Sequence, residues 1–321
     1  MTRLSGVTPS GHITLGNYLG AIKRWAAEGT EHDLYFMSDL HAMTTSHNPG
    51  RLRSLATEGL AVLISSGISP ERLFVQSDIA RELGALTWIL ECTCSYGEAA
   101  RMIQFKEKAK GQAGVRLSLL TYPTLMAADI LLQGASEVPV GEDQRQHVEL
   151  ARTLARRFNT TYGEVFTMPQ AVLPPAAARV RDLSDPTRKM SKSAQDTAGV
   201  VSVLDEPDLI GRKIRRAVTD GGSEVVYSPE DRPGLANLLE ILAGCTGGSP
   251  SDLAAEHTTY GSLKDATAEA VIETLRPLRE ATNALLQDPA ELDRVRKAGA
   301  ARASERGDHR LTSALRLVGA G

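Results

Sequence analysis

Two periodicities alternate along the first third of the chain. Leu4–Val7 reads as a short strand and the segment TPSG (8–11) as a turn. Residues 16–27 then read as a helix beginning at a Gly-Asn step. Leu34–Met37 is a second apolar run of strand length, and it ends in the polar groups of Ser38-Asp39-Leu40-His41. Residues 51–66 set Leu52, Leu55, Ala56, Leu60 and Leu63 at helical spacing, and Leu73–Gln76 reads as a third strand. Strands alternating with helices predict an α/β fold built on a doubly wound parallel sheet, whose ligands bind beyond the strand carboxyl ends.

Further along, residues 78–120 turn helical. Within them, residues 101–116 hold Arg101, Lys106, Lys108, Lys110 and Arg116 against one acid, Glu107, a run that also suits a solvated helix face. The strand-loop pattern returns near Pro139-Val140-Gly141, and a helix is predicted from about Gln144 to Phe158. Pro169–Ala178 is rich in Pro and Ala and reads as a loop. Beyond Asp205 the pattern is mostly helical, with breaks at Pro229–Pro233 and Gly244–Pro250. A parallel-sheet nucleotide-binding domain followed by a smaller all-helical one is the expected layout.

Composition narrows the function classes. A chain of 321 residues with 42% hydrophobic and 23% charged residues can bury a sizeable core. No apolar run approaches the ~18 residues of a membrane helix, and Met-Thr-Arg-Leu-Ser-Gly is no apolar signal segment, so a cytoplasmic location is expected. Three cysteines (Cys92, Cys94, Cys245) are too few for a disulfide framework, and no metal site is expected. Neither half is a polycation: residues 1–182 carry 18 basic and 18 acidic side chains, the remainder 18 and 21. A nucleic-acid partner therefore has to be held by local patches.

The phosphate-binding G-x-x-x-x-G-K-[ST] loop and the H-E-x-x-H zinc motif are absent, and the only G-x-G lies at Gly319–Gly321. What is present is TPSGHITLGNYLG (8–20). Its Pro9, Gly11, Gly16 and Gly20 let the backbone turn sharply, and Ser10, Thr14 and Asn17 bring short polar groups to a helix start. Such a helix start directly after the first strand favours phosphate, although a plain capped turn has the same look. Far downstream, RKMSKS (188–193) sets two lysines three apart with serines between and beside them, as suits a loop closing on a polyphosphate.

Together the two segments resemble the HIGH and KMSKS signatures of class I aminoacyl-tRNA synthetases. Thr14-Leu15-Gly16-Asn17 stands in the HIGH place and Lys189–Ser193 is a full KMSKS; His12 lies two residues too early. The block TYPTLMAADILLQGASEVPVGEDQ (121–144) with RQHVELAR, and the blocks RMIQFKEK, SDLHAMT, AVTD and VIETLRP, are similar to the tryptophanyl-tRNA synthetases over roughly residues 3–300. A tyrosine–tRNA ligase typically has Gln where Met126 stands. A non-catalytic paralogue binding tRNA or amino acid has no need of an intact KMSKS.

The resemblance implies a tryptophan–tRNA ligase that uses Mg-ATP, with tRNA(Trp) and L-tryptophan as partners and a homodimeric assembly. It implies a catalytic domain over 1–182 with its helical insertion at about 78–120. The KMSKS loop and a helical anticodon-binding domain follow over 183–285, then a C-terminal helical segment over 286–321. Thr8, Pro9, Ser10, Gly16 and Asn17 would lie along ATP. Gly141, Glu142 and Asp143 would hold its ribose and adenine, and Val180 would give a backbone contact to adenine. Lys189, Met190, Ser191, Lys192 and Ser193 would close over the phosphates, with Lys192 the main transition-state cation and Lys108 a second pyrophosphate cation. Asp129 would accept the indole N–H, a donor without acceptor capacity. Met126, Val138 and Val140 would form apolar walls, Tyr122 and Gln144 would take the α-ammonium, and His41 would line the pocket. Two departures stand out: Thr8 where the family usually has Gln, and Leu4 where Phe is frequent. Thr8 is too short to make the family's contact, which predicts tolerance of tryptophan-mimicking inhibitors.

Overall fold

The computed structural model describes residues 1–110, 114–173, 180–192 and 196–321. Three short strands appear where the apolar runs predict them: β1 Leu4–Val7, β2 Leu34–Met37 and β3 Leu73–Val75, all parallel in the order β1-β2-β3. Two further strands, β4 Glu137–Pro139 and β5 Gln170–Val172, pair in parallel, and a bridge from Arg3 to Glu137 joins β4 to the free edge of β1. The spatial order is therefore 3-2-1-4-5, and the order reverses between β1 and β4, where doubly wound folds place their ligands. β5 corrects the loop expected from Pro169. Gln170–Val172 is strand because Val138 and its neighbours supply a partner edge, which local composition does not reveal.

Residues along each strand bury themselves alternately on the two faces. Tyr35, Met37, Leu73 and Val75 join one apolar cluster, while Phe36 and Phe74 join the other, where their rings stack 5.1 Å apart. Helix Pro49–Ser65, N-capped by Asn48 and opened by Pro49, covers the first face. Helices Ala80–Thr93, Leu117–Leu132 and Arg145–Tyr162 cover the second. The helix expected over 16–27 spans Leu15–Glu28 with a π-helical turn at Tyr18–Ile22, a device common near functional sites. The helical stretch expected over 78–120 is broken into Ala80–Thr93, Tyr96–Ala100 and Ile103–Ala109, and Leu117–Leu132 runs on past it.

Helices Pro207–Arg215, Pro233–Thr246 and Tyr260–Leu286 share the first cluster with β1 and helix Pro49–Ser65. The last helix, Pro289–Leu317, turns back across β3. Gly299 meets the backbone of Leu73 so closely that a Cβ would stand 2.3 Å from its carbonyl oxygen. Arg302, Arg306 and Arg310 donate to the carbonyls of Pro70, Gln133 and Leu132, and Arg296 pairs with Asp78. Among the described residues no helix is long and apolar enough to cross a membrane.

Candidate active site

Five strands deliver their carboxyl ends to one rim, and the signature segments meet there. β1 runs into Thr8-Pro9-Ser10, whose turn is closed by Ser10 N–H on the Thr8 carbonyl at 2.9 Å. The Thr8 hydroxyl lies 2.9 Å from that of Ser38, at the end of β2. Thr14 opens the next helix through a capping box with Asn17, and Leu15 and Ile13 exchange backbone bonds with Val201 and Val203. The downstream signature is held by Met190 N–H on Val180 C=O at 3.2 Å, with both side chains buried. Gly16 packs against those two side chains.

The contact between the segments is direct. Lys192 Nζ donates to the Thr8 carbonyl at 3.0 Å. Gly11 lies flush on the Lys192 backbone, so that a Cβ there would stand 2.1 Å from the Lys192 carbonyl oxygen; only glycine permits this approach. Burial, and then the neighbouring charge of Lys189, push the Lys192 ammonium down to about 8. It remains mostly cationic at neutral pH. Lys189 and Ser191 are exposed. Ser193 and the side chain of Lys108 lie outside the described residues.

On the other side of the switch point, Asp129 is buried within helix Leu117–Leu132. Gln76, just beyond β3, donates to both its oxygens at 2.9 and 2.8 Å, and His41 Nε2 lies 2.9 Å from Oδ2. Leu40 N–H donates to Gln76 Oε1 at 3.0 Å, which fixes the amide so that its NH2 faces the carboxylate. Burial pushes the Asp129 carboxyl up, and the bonds from His41 and Gln76 pull it back. A carboxylate so held is an acceptor aimed from an apolar wall. Met126, one turn earlier, and Val138 and Val140 at the end of β4 belong to the same apolar cluster.

A second polar group forms around Tyr122 and Gln144. His147 is 1% exposed and lies 2.9 Å from Gln144 Oε1 and 3.0 Å from the Tyr122 hydroxyl. Gln144 and Gln104 both donate to Asp143 Oδ2, at 2.7 and 3.1 Å. Burial, and then the charge of Asp143, push the Tyr122 phenol up to about 12. Glu142 and Asp143 themselves form a 3-10 turn after Gly141, ahead of helix Arg145–Tyr162, and Glu142 pairs with Arg145. They thus open a helix as well as facing the rim. Among the described residues no three His, Cys, Asp or Glu side chains gather to hold a metal.

Gln76, Gln104 and His147 are site residues that the motifs did not single out. Gln76 had a signal, a polar residue ending a predicted strand in a doubly wound sheet. Gln104 and His147 lie inside the blocks RMIQFKEK and RQHVELAR, but nothing there marked them, because the partners Asp143 and Tyr122 that draw them together come from other elements.

Residues 1–276 match the family model described as tRNA synthetases class I (W and Y). The chain is 52% identical to tryptophan–tRNA ligase 1 of Streptomyces coelicolor, over 99% of this chain and 97% of that one. The solved tryptophanyl-tRNA synthetase of Mycoplasma pneumoniae superposes with a TM-score of 0.88 at 30% identity, covering 100% of this chain and 98% of the other. That of Campylobacter jejuni, complexed with ADP and tryptophan, gives 0.86 at 31%, covering 99% and 100%. The chain belongs to the class I tRNA synthetases, in the group specific for tryptophan and tyrosine. Within that group it falls with the tryptophan–tRNA ligases.

Proposed function

We propose that this chain activates L-tryptophan with Mg-ATP and passes the tryptophanyl group to tRNA(Trp). In the first step a tryptophan carboxylate oxygen attacks the α-phosphorus of ATP, the bond to the β-phosphate oxygen breaks, and pyrophosphate leaves. In the second a hydroxyl of the terminal ribose of the tRNA attacks the carbonyl carbon and AMP leaves. No enzyme nucleophile is needed, so the protein contributes positioning and charge. Thr8, Pro9, Ser10, Gly16 and Asn17 lie along ATP, and Gly141, Glu142, Asp143 and Val180 hold the nucleoside. Lys189–Ser193, led by Lys192, with Lys108, neutralise the leaving pyrophosphate. Asp129 reads the indole N–H between Met126, Val138, Val140 and His41, and Tyr122 and Gln144 receive the α-ammonium.

The observation that carries this reading is the meeting of the two signature segments, with Lys192 Nζ on the Thr8 carbonyl and Gly11 against the Lys192 backbone. A lysine brought to the end of the first strand sits where a phosphate at the adjoining helix start needs a counter-charge. Tryptophan-dependent exchange of labelled pyrophosphate into ATP tests it. Exchange driven by tryptophan and not by tyrosine is expected, and its absence would overturn the reading in favour of a binding-only relative. We further propose a cytoplasmic homodimer. Exposed Met43 and Trp88 wall a cleft between helices Ala80–Thr93 and Leu117–Leu132, an apolar surface suited to a second copy.

A further inference from the structure

We propose that His147 is a positioning residue for the α-ammonium of the amino acid: a hydrogen-bonded ring rooted in Asp143 holds it as the Nδ1–H tautomer and makes Tyr122 and Gln144 acceptors. The proposal rests on the reading above, in which Tyr122 and Gln144 meet that ammonium.

The ring closes through five side chains from four elements. Asp143 Oδ2 receives Gln144 Nε2 at 2.7 Å and Gln104 Nε2 at 3.1 Å. Gln144 Oε1 is 2.9 Å from His147 Nδ1, and His147 Nε2 is 3.0 Å from the Tyr122 hydroxyl. That hydroxyl is in turn 3.3 Å from Gln104 Oε1.

Donor and acceptor roles propagate from one end. An ionised carboxylate only accepts, so both glutamines turn their NH2 toward Asp143 and their oxygens away from it. An amide oxygen opposite Nδ1 requires Nδ1 to carry the proton, which makes Nε2 of a neutral imidazole an acceptor. The Tyr122 phenol has one proton and two acceptors before it, His147 Nε2 and Gln104 Oε1. Its proton is thus committed within the ring, and a further partner meets the phenol oxygen as an acceptor. Burial and the charge of Asp143, which push Tyr122 up to about 12, keep the phenol protonated through the working range. A primary ammonium has three donors and no acceptor, so it matches what Tyr122 and Gln144 offer. His147, buried at 1% exposure, works through both neighbours. Because Asp143 lies on the turn assigned to the nucleoside, one ring joins the two halves of the site.

The test is calorimetric binding of tryptophan, tryptamine and 3-indolepropionate to the full-length chain without ATP. Tryptamine keeps the ammonium and lacks the carboxylate; indolepropionate is the reverse. In His147→Leu the affinity for tryptophan and tryptamine should fall about tenfold, roughly 1.4 kcal/mol, with that for indolepropionate changing less than about twofold. Asp143→Asn, on an exposed turn, replaces the acceptor by a group that can donate, and should give the same selective loss even if His147→Leu fails to fold. Equal losses for all three ligands in both variants would mean a packing role, and no loss would mean no role; either overturns the proposal. A wild-type chain that binds tyrosine rather than tryptophan would instead defeat the functional reading beneath it.

Discussion

Lys192 Nζ donates to the carbonyl of Thr8 at 3.0 Å across 184 residues of sequence. The bond places the cation of one signature at the strand end that opens the other. It uses a backbone acceptor that cannot move away, and a phosphate oxygen bound at that strand end would compete for the same ammonium.

Lys192→Ala should therefore lower kcat and kcat/KM for ATP together, by about a hundredfold, the scale for losing a preorganised transition-state donor. The KM for ATP should stay nearly constant. Steady-state pyrophosphate exchange at saturating tryptophan reads both quantities. A variant with only a raised KM would assign the lysine to ground-state binding.

The depressed Lys192 ammonium predicts a pH dependence. Free of nucleotide it loses its proton as pH rises through about 8. If its charge acts only as pyrophosphate leaves, kcat/KM for ATP should fall as pH rises above about 8, because that ratio reports the free enzyme's ionisation. Lys192→Ala should lose that alkaline limb. Pyrophosphate exchange measured from about pH 6.5 to 9.5 on both forms reads it; a wild-type profile that stays flat across pH 8 is the contrary outcome.

Gly11 tests the contact between the segments. A methyl group there meets the Lys192 carbonyl oxygen at 2.1 Å, and backbone cannot yield as a flexible side chain can. In Gly11→Ala the two segments must separate. The expected result is a loss of at least about tenfold in tryptophan-dependent exchange, with tryptophan binding, which lies across the site, little changed.

Specificity should follow the buried carboxylate. Asp129→Ala is expected to weaken tryptophan activation by at least about tenfold, consistent with roughly 1.5–3 kcal/mol for a hydrogen bond to a charged group. ATP binding should change little. Gln76→Leu leaves that carboxylate short of its amide donor and should cost about 1–3 kcal/mol of stability by thermal or urea unfolding. An unchanged kcat/KM for tryptophan in Asp129→Ala would remove the residue from the specificity pocket.

Thr8 stands where the resemblance implies a Gln. Its hydroxyl lies against Ser38 at 2.9 Å, so a tryptophan mimic that gains a bond from a longer amide finds none here. Restoring it in Thr8→Gln should lower the inhibition constant of an indole-containing tryptophan analogue about tenfold, the worth of one added hydrogen bond at the upper end of its range. Competitive inhibition of exchange, measured on both forms, decides it, since an equal constant would leave Thr8 a smaller neighbour of ATP.

Strands β1 and β2 were legible residue by residue, and β3 to within one: β2 and β3 are short apolar runs buried in a parallel sheet, and β1 sets Leu4 and Val7 about Ser5-Gly6 just before a turn. The signatures at 8–17 and 188–193 were legible as well, since phosphate chemistry demands small residues, hydroxyls and lysines in consecutive positions. Strand β5 was not, because three residues beside a Pro/Ala stretch carry no periodicity until β4 lies next to them.

From the sequence alone came the α/β class, the family and most side chains proposed for the site, for these depend on local pattern and on residue chemistry. Tertiary structure alone decided that Gln76 and His41 share Asp129, that His147 bridges Tyr122 and Gln144, and that Gly11 meets Lys192. Nearly all of these partners lie on separate elements, many of them dozens of residues apart. Their meeting depends on how helices and strands pack against one another, and a period of two or of 3.6 residues along the chain carries no record of that packing.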